Sequence, residues 1–369
     1  MPHSRSSDRI EFLDGLRGLA ILLVVMFHAY ARWPELVPYG STFSNIKLFS
    51  YGWLGVQLFF LISGFVIFLT LDRCANLSEF LVRRWLRLFP AMFICSLFIW
   101  YTAPLFPERP AGLPTAEQLI PGLTFIDPQW LQTAGIRTRA IEGAFWSLFV
   151  ESQFYVIAGV SYFIFGGRRA ALAVLLILFA FAVVSGPIRN LMGDSSIFQN
   201  LLLLSDRLGA RLYGWFAGGA LLYVYYSKKS IHVLILGLAV TVVAVLVEHG
   251  IRNVEVKVPA ALIALAFVGT LLNGRMRLVF GHRAFLFLGY ISYPLYLAHE
   301  NIMVSLIIKV GKSVPELPAI LVPLAPISLV ILVAWLVASY LEPAIKTILR
   351  TGYGLACGKI TTSGARHLN

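Results

Sequence analysis

The sequence predicts an all-α polytopic membrane protein, with about ten transmembrane helices in one bundle and both termini in the cytoplasm. Three observations support this fold class: 58% of the 369 residues are hydrophobic, only 13% are charged, and long apolar runs recur along the whole chain. Soluble domains carry roughly 25% charged residues. A helix needs about 20 apolar residues to cross the hydrocarbon core. The composition therefore places the chain in a membrane.

Ten apolar runs are interpreted as membrane spans, and several are short, so tilted helices or a locally thin bilayer are expected. In chain order, the predicted spans are residues 16–31, 54–71, 88–105, 144–165, 170–187, 208–226, 231–247, 258–272, 285–310 and 319–341.

Lysine and arginine give an independent test of the topology, because short cytoplasmic loops carry an excess of both. If the N-terminus is cytoplasmic, the inside segments are short and basic, and the outside segments hold most of the acids. The alternation between basic inside segments and acid-containing outside segments stays consistent through the ten predicted crossings. Since no linker or repeat of fixed period is visible, we predict one transmembrane domain, residues 1–345, followed by a cytoplasmic tail, residues 346–369.

The net charge of +12 is attributed to cytoplasmic loops and to contact with anionic membrane lipids. Nucleic acid is therefore not expected as a partner. Cys74, Cys95 and Cys357 are scattered and show no metal-ligand spacing. Neither a disulfide framework nor a metal site is indicated.

The first apolar run also resembles a signal peptide, because residues 29–31, Ala-Tyr-Ala, imitate a signal-peptidase site. We expect the helix to be retained, since Asp14 and Arg17 lie close to the run and a multi-spanning protein usually keeps its first helix as an anchor. Cleavage would remove His28.

The first span carries an acid, a base and an imidazole near one face. Arg17 and His28 are eleven residues apart. In a helix this spacing returns to within about 20° of the same face and rises about 16 Å, with Asp14 about 40° away. Because a histidine can accept a proton near neutral pH, His28 is a candidate base, with Arg17 and Asp14 as candidate partners. A histidine hydrogen-bonded in the bundle and a local Asp14–Arg17 ion pair are the structural alternatives.

The second span and the basic stretch after it contain further candidates. Ser63 stands in a small-residue pair that favours close helix packing, and it is also a candidate cavity residue. Arg83, Arg84 and Arg87 follow, and the last two share a helical face. Their guanidinium groups could bind phosphates such as those of coenzyme A. The alternative is anchoring to lipid headgroups.

Polar residues also mark the middle of the chain. Ser147, Glu151 and Tyr155 line one face of the fourth span, and a buried carboxylate there needs a partner. We favour a pocket or gate over a purely structural pair. Arg211 is predicted to be an internal partner of an acid or of a polar substrate group. The long segment 106–143 is predicted to form an outer lid or acceptor platform, with a simple tether as the alternative.

The ninth span contains Pro294, which should interrupt the helix, and broken helices at membrane depth are tolerated where they line a cavity. Tyr293, Tyr296 and His299 are therefore predicted to line a cavity. His299 could be a second base, although a histidine satisfied by a neighbouring group is favoured.

Together these motifs resemble the acyltransferase 3 family of bacterial integral-membrane O-acyltransferases, which modify surface polysaccharides and some secondary metabolites. The shared order of the motifs makes the resemblance specific. The matching stretches are DGLRGLA with ten residues between Arg17 and His28, LFFLISGF, RRWLRLFP, WSLFVESQFY, Arg211 before FAGG, and SYPLYLAH.

The resemblance implies an enzyme of the bacterial inner membrane that binds no cofactor and moves an acyl group, most simply acetyl, from cytoplasmic acyl-coenzyme A to a hydroxyl of a glycan or lipid-linked sugar. It implies that His28 is the catalytic base and that Arg17 is its motif partner. It further implies that Arg84 and Arg87 meet the donor phosphates, and that Glu151 and Tyr296 line the cavity.

Some family members carry a C-terminal esterase-like domain, which is not expected here because the chain ends soon after its last predicted span. Two chemistries stay open, direct attack by the acceptor hydroxyl or a transient acyl-histidine. The rival function is a proton-coupled transporter or flippase, because buried His, Glu and Arg also serve carriers.

Overall fold

The computed structural model describes residues 10–192, 195–249 and 253–356, and within these ranges the chain forms helices and turns without a strand. The longer helices, in chain order, are α1 (Glu11–Tyr30), α2 (Gly55–Leu71), α3 (Leu77–Thr102), α4 (Trp146–Phe165), α5 (Gly167–Met192), α6 (Ser196–Arg207), α7 (Tyr213–Lys228), α8 (Ile231–Val247), α9 (Val254–Leu272), α10 (Arg283–Ala298), α11 (Glu300–Ser313), α12 (Leu324–Leu336) and α13 (Glu342–Ala356).

Short elements connect these helices. Single α-helical turns or short helices lie at Lys47–Ser50, Leu119–Thr124, Pro128–Thr133 and Gly274–Phe280. Short 3-10 turns lie at Gly52–Leu54, Ala103–Leu105, Ala116–Gln118, Gly143–Phe145 and Ala210–Leu212, and a π-helical turn lies at Val337–Leu341.

In the described ranges, seven helical stretches are long and apolar enough to cross a membrane, which confirms the predicted class of a helical, multi-pass membrane protein. They are Glu11–Tyr30, Gly52–Leu71, Leu77–Leu105, Gly143–Phe165, Gly167–Ile188, Val254–Leu272 and Leu324–Thr351. Helix α8 is apolar but shorter. The other two predicted spans correspond to α7 and to the pair α10 and α11. Ten crossings and the side of each terminus stay predictions.

Helix α1 packs in the centre of the bundle, between α10 and α2. Its approach to α10 is so close that a Cβ atom on Gly18 would lie 2.1 Å from the carbonyl oxygen of Phe285. A Cβ atom on Gly289 would lie 1.9 Å from the carbonyl oxygen of Asp14. Small residues at such crossings let backbones touch and supply the packing that holds membrane helices together. These glycines therefore fix how α1 sits against α10.

The interruption predicted at Pro294 occurs five residues later in the structure. Pro294 is accommodated inside α10, which ends at Ala298, and His299 separates α10 from α11. The His299 ring explains this position, because its Nδ1 atom lies 2.9 Å from the carbonyl oxygen of Tyr296. The His299 side chain thus contacts a carbonyl oxygen that, in a continuing helix, would accept a hydrogen bond from a backbone N–H.

The last helical stretch runs from α12 through the π-helical turn into α13. The hydroxyl of Tyr290 donates to the carbonyl oxygen of Ala338 in this turn, at 3.0 Å. The proposed boundary at residue 345 thus falls within a helix, and the division into domain and tail stays a prediction. Residues 357–369 of the predicted tail lie outside the described part of the chain.

Candidate functional site

Two histidines from opposite ends of the sequence meet near the end of α1. His28 stands two residues before the end of the helix, and His299 is the residue between α10 and α11. The Nε2 atom of His299 lies 3.2 Å from the Nδ1 atom of His28, and the two rings meet edge to face. His299 is fully buried, whereas 11% of the His28 side chain is exposed. The pair therefore leaves His28 as the accessible member.

The surroundings of the two rings select one arrangement of their protons in the neutral form. Nδ1 of His299 faces the carbonyl oxygen of Tyr296, so it carries the hydrogen and leaves Nε2 as an acceptor. Nδ1 of His28 faces both that acceptor and the carbonyl oxygen of Val24, at 2.9 Å, so it also carries the hydrogen. Nε2 of His28 is then left with a free lone pair. A ring in this state can accept a proton at Nε2.

One carboxylate lies beside the histidine pair, and a second carboxylate lies near the first. Oε1 of Glu300 is 3.9 Å from Nε2 of His28, and Oε2 accepts a hydrogen bond of 2.6 Å from the backbone N–H of Ala144. The second carboxylate belongs to Glu142, which is 1% exposed. Burial and the nearby carboxylate of Glu300 raise the pKa of Glu142, and the guanidinium of Arg109 opposes this shift. Glu300 is thus held next to the candidate base, and Glu142 lies near Glu300.

The long segment before α4 is anchored at this point. The buried side chain of Arg109 donates to Glu142 at 3.0 Å, and Glu142 also accepts from the backbone N–H of Asn301 at 3.1 Å. The side-chain oxygen of Asn301 accepts from the backbone N–H of Ala111 at 2.8 Å. Both ends of the segment are therefore tied to the start of α11. These contacts exceed what a simple tether needs, and the lid or platform role stays a prediction.

A cavity of about 90 Å³ lies beside the histidine pair, although neither histidine is among its lining residues, and it reaches Arg17 near the start of α1. Tyr296, which lines it, contacts the ring of His299 at a centroid distance of 5.6 Å. The cavity brings together most of the side chains singled out from the sequence. Its lining includes Arg17, Ser63, Arg84, Arg87, Glu151, Tyr155, Tyr293 and Tyr296.

Glu151 is the acidic centre of this cavity. Its Oε1 atom accepts from the hydroxyls of Ser63 at 2.5 Å and of Tyr155 at 2.6 Å. The partner that a membrane carboxylate requires is thus supplied by two hydroxyl groups. On the same helix, Ser147 bonds to the hydroxyl of Tyr296 at 2.7 Å. The predicted face of α4 therefore does line the cavity.

Three arginines supply positive charge at the other end of the cavity, namely Arg17, Arg84 and Arg87. Arg17 is ion-paired with Asp14 at 2.9 Å, the local contact that the i,i+3 spacing allows. Arg84 donates to the hydroxyl of Thr70 at 3.3 Å. Its Nε atom is buried and has no hydrogen-bond partner among the described residues. A donor group buried without a partner is costly, so a ligand that accepts from Arg84 would be stabilising.

The structure places three of the predicted donor-binding and cavity residues outside the cavity lining: Arg83, Arg211 and His299, whose buried ring contacts His28 instead. Arg83 lies outside the cavity lining and pairs with Glu79, one turn earlier on α3. Arg211 is exposed, so its predicted internal position is wrong. The physical reason is that Gly209 adopts a left-handed conformation, with φ of 62°, and Arg211 then falls in a separate turn before α7 begins. Tyr293 lines the cavity and donates to the carbonyl oxygen of Leu88 at 3.1 Å.

Sequence reasoning missed the group around Glu142, Arg109 and Asn301. Its members are far apart in sequence, and nothing in their spacing links the outer segment to the ninth predicted span. One signal was present. Glu142 lies directly before an apolar run, and Glu300 directly follows the SYPLYLAH motif. An acid at either position needs a partner when it is buried.

A protein-family comparison supports the resemblance found in the sequence. The family model described as "Acyltransferase domain" matches residues 10–340 of this chain. The match includes the histidine pair, the cavity and the anchored segment. No solved structure matches the chain.

Several curated proteins are similar to parts of the chain. O-acetyltransferase OatA of Staphylococcus aureus is 29% identical over 157 residues, which cover 39% of this chain and 23% of that protein. An O-acetyl transferase of Shigella phage Sf6 is 26% identical over 182 residues, covering 48% of this chain and 53% of the phage protein. A putative O-acetyltransferase of S. aureus strain COL is 26% identical over 220 residues, or 33% of its length. The chain thus spans about half or less of the relatives that it matches.

Proposed function

We propose that this chain, which belongs to the acyltransferase 3 family, is an inner-membrane O-acetyltransferase that uses acetyl-coenzyme A to acetylate a hydroxyl of a glycan or lipid-linked sugar. The names of the relatives support acetyl as the transferred group and oxygen as the acceptor atom. Acyl transfer is the chemistry of the family. The donor, the acceptor and the base are proposed from the site geometry described above.

One observation carries the proposal most directly: a single cavity is lined by three arginines and also by Tyr296, next to the histidine pair. An anionic donor requires positive charge where its phosphates bind, and acyl transfer requires a base where its carbonyl reacts. The arginines line the cavity, and the histidine pair lies beside Tyr296 of its lining. Arg17, Arg84 and Arg87 would bind the phosphates.

The proposed reaction uses His28 as a general base. The acceptor hydroxyl gives its proton to Nε2 of His28 as its oxygen attacks the thioester carbonyl. The carbon–sulfur bond then breaks, and the coenzyme A sulfur takes the proton from Nε2. The products are the acetyl ester and free coenzyme A, and His28 returns to its neutral form. The hydrogen at Nδ1, which faces Val24 and His299, does not move.

The function is tested by mass analysis of the surface glycans and lipids of a strain in which the gene is deleted. We expect a glycan or lipid that loses the mass of one or more acetyl groups, and its recovery when the gene is returned. A transporter or flippase would instead change the amount of glycan at the surface. Unchanged acetylation of every glycan and lipid class would contradict the proposal.

Arg84→Ala is expected to weaken donor binding. Arg84 has a buried Nε atom without a partner and lines the cavity beside Arg17 and Arg87. Charge-assisted hydrogen bonds contribute about 1.5–3 kcal/mol, so the KM for acetyl-coenzyme A should rise about 10- to 100-fold. The measurement is the initial rate of acetyl incorporation in isolated membranes, with radiolabelled acetyl-coenzyme A over a range of concentrations.

Arg83→Ala is the matched control for this prediction. It removes a neighbouring arginine of the same helix whose Nε atom is also buried without a partner, but which pairs with Glu79 and does not line the cavity. The KM should change by less than about threefold, because Arg83 is half-buried outside the cavity and local i,i+4 ion pairs contribute little. Equal effects of the two substitutions would argue against a donor-phosphate site at Arg84.

His299→Ala is expected to reduce the rate without abolishing it. The substitution removes the acceptor that faces Nδ1 of His28, and only the carbonyl oxygen of Val24 is left to hold the ring. We expect kcat to fall about 10-fold, because a base must be oriented as well as present. His299→Gln, which can supply an acceptor, should retain more activity than His299→Ala in the same membrane assay. If the order is reversed, the proposed orientation of His28 is wrong.

A further inference from the structure

We propose that Glu300 is a positioning residue of the transfer reaction, whose carboxylate stabilises the positive charge that forms on His28 when it accepts the acceptor's proton. This inference rests on the proposed role of His28 as the base. It adds to the site a carboxylate that begins α11 and is separated from His28 by most of the sequence.

The distance between the two groups supports this role. Oε1 of Glu300 lies 3.9 Å from Nε2 of His28, which is too long for a hydrogen bond between them. While the His28 ring is neutral, its Nε2 atom and Oε1 of Glu300 are both acceptors, so neither can donate to the other. When Nε2 of His28 takes up a proton, it becomes a charged N–H donor that faces the carboxylate of Glu300. The attraction therefore exists only after proton transfer has begun.

The carboxylate of Glu300 is also held in this orientation. Its other oxygen accepts from the backbone N–H of Ala144 at 2.6 Å, and 8% of the side chain is exposed. Gly143 leaves the space that Oε1 occupies, because a Cβ atom there would lie 2.8 Å from it. Among the described residues, no side chain donates a hydrogen bond to Oε1 of Glu300. The neighbouring carboxylate of Glu142, in contrast, is bound by Arg109 and Asn301.

The surroundings make such an interaction effective. Burial removes the water that would otherwise screen the carboxylate from the ring, so a charge pair there is stronger than at the surface. A group fixed before the reaction starts needs no rearrangement as charge develops. A contact that forms only as charge develops lowers the barrier without tightening substrate binding. The expected signature is thus a change in kcat with little change in KM.

The test compares Glu300→Gln with Glu300→Asp in isolated membranes, using radiolabelled acetyl-coenzyme A as the probe. Glutamine keeps the shape and can still accept from Ala144, but it removes the charge. We expect Glu300→Gln to lower kcat about 10- to 100-fold and to change the KM for acetyl-coenzyme A by less than about threefold. Glu300→Asp, which keeps the charge, should recover part of this loss.

Glu248→Gln is the matched control, because it makes the same substitution at another largely buried carboxylate, which accepts from Trp215 and Gln57 away from the histidine pair. It should leave kcat within about threefold of the parent. The inference is overturned if Glu300→Gln retains full kcat, or if Glu300→Asp is no better than Glu300→Gln. If His28→Ala is active while Glu300→Gln is not, the proposed base is wrong instead.

Discussion

His28→Ala should reduce acetyl transfer by about 1,000-fold, because general base catalysis by one positioned side chain contributes about 10²- to 10⁴-fold. The substitution removes the only ring nitrogen of the histidine pair that the proposed proton arrangement leaves free, namely Nε2 of His28. Acetyl incorporation in isolated membranes from radiolabelled acetyl-coenzyme A measures this effect. The KM for the donor should change little, since the arginines that line the cavity are untouched.

His232→Ala is the control, because His232 is exposed on α8 and lies outside the cavity lining. It should behave like the parent protein. Parental activity of His28→Ala, with the variant present in the membrane at the parental level, would remove His28 from the mechanism. Single-turnover labelling without acceptor separates the two chemistries, since label on the parent protein that His28→Ala fails to acquire would indicate an acyl-histidine.

Gly289→Ala should destabilise the protein and inactivate it together. The added Cβ would lie 1.9 Å from the carbonyl oxygen of Asp14, so α1 and α10 must separate. Overpacking costs about 1–3 kcal/mol and can cost more where the neighbour is backbone. We expect the midpoint of thermal unfolding in detergent to fall by about 5 °C or more. Acetyl transfer should fall as well, because the same two helices bring His28 to His299.

Gly186→Ala provides the comparison for this substitution. Its added Cβ would meet nothing within 4 Å, on the exposed side of α5. Alanine in a helix interior is about 0.5–1 kcal/mol more favourable than glycine, so the unfolding midpoint should not fall. Equal melting temperatures for the two variants would show that the contact between α1 and α10 is not what limits stability.

The class of fold and most of the cavity could be predicted from the sequence, because both follow from local costs. A long apolar run identifies a span wherever it occurs, and a charged or hydroxyl-bearing residue inside a span needs a partner. That reasoning found Arg17, Glu151, Tyr155 and Tyr296, which all line the cavity. It could not assign Ser63 to Glu151, since that contact depends on how α2 and α4 pack.

Other features depend on details that a pattern of apolar residues does not contain. Arg211 was assigned to a span because its neighbours are apolar, yet the left-handed conformation of Gly209 puts it in an exposed turn. The break between α10 and α11 was expected at the proline, but the His299 side chain determines its position. The contacts of Glu142 join segments about 160 residues apart, and only the folded chain brings them together.

If Arg17 binds the donor phosphates and His28 is the base, their separation along α1 sets the length that a donor must span. Arg17 and His28 share one face, eleven residues apart, so about 16 Å of helix lies between them. A donor whose acyl group adjoins its phosphate cannot reach both ends at once, whereas one that carries its thioester on a long slender arm can. The protein would then select its donor by the distance between the donor's phosphates and its acyl group. A reactive but compact molecule such as acetyl phosphate would be rejected by its length alone.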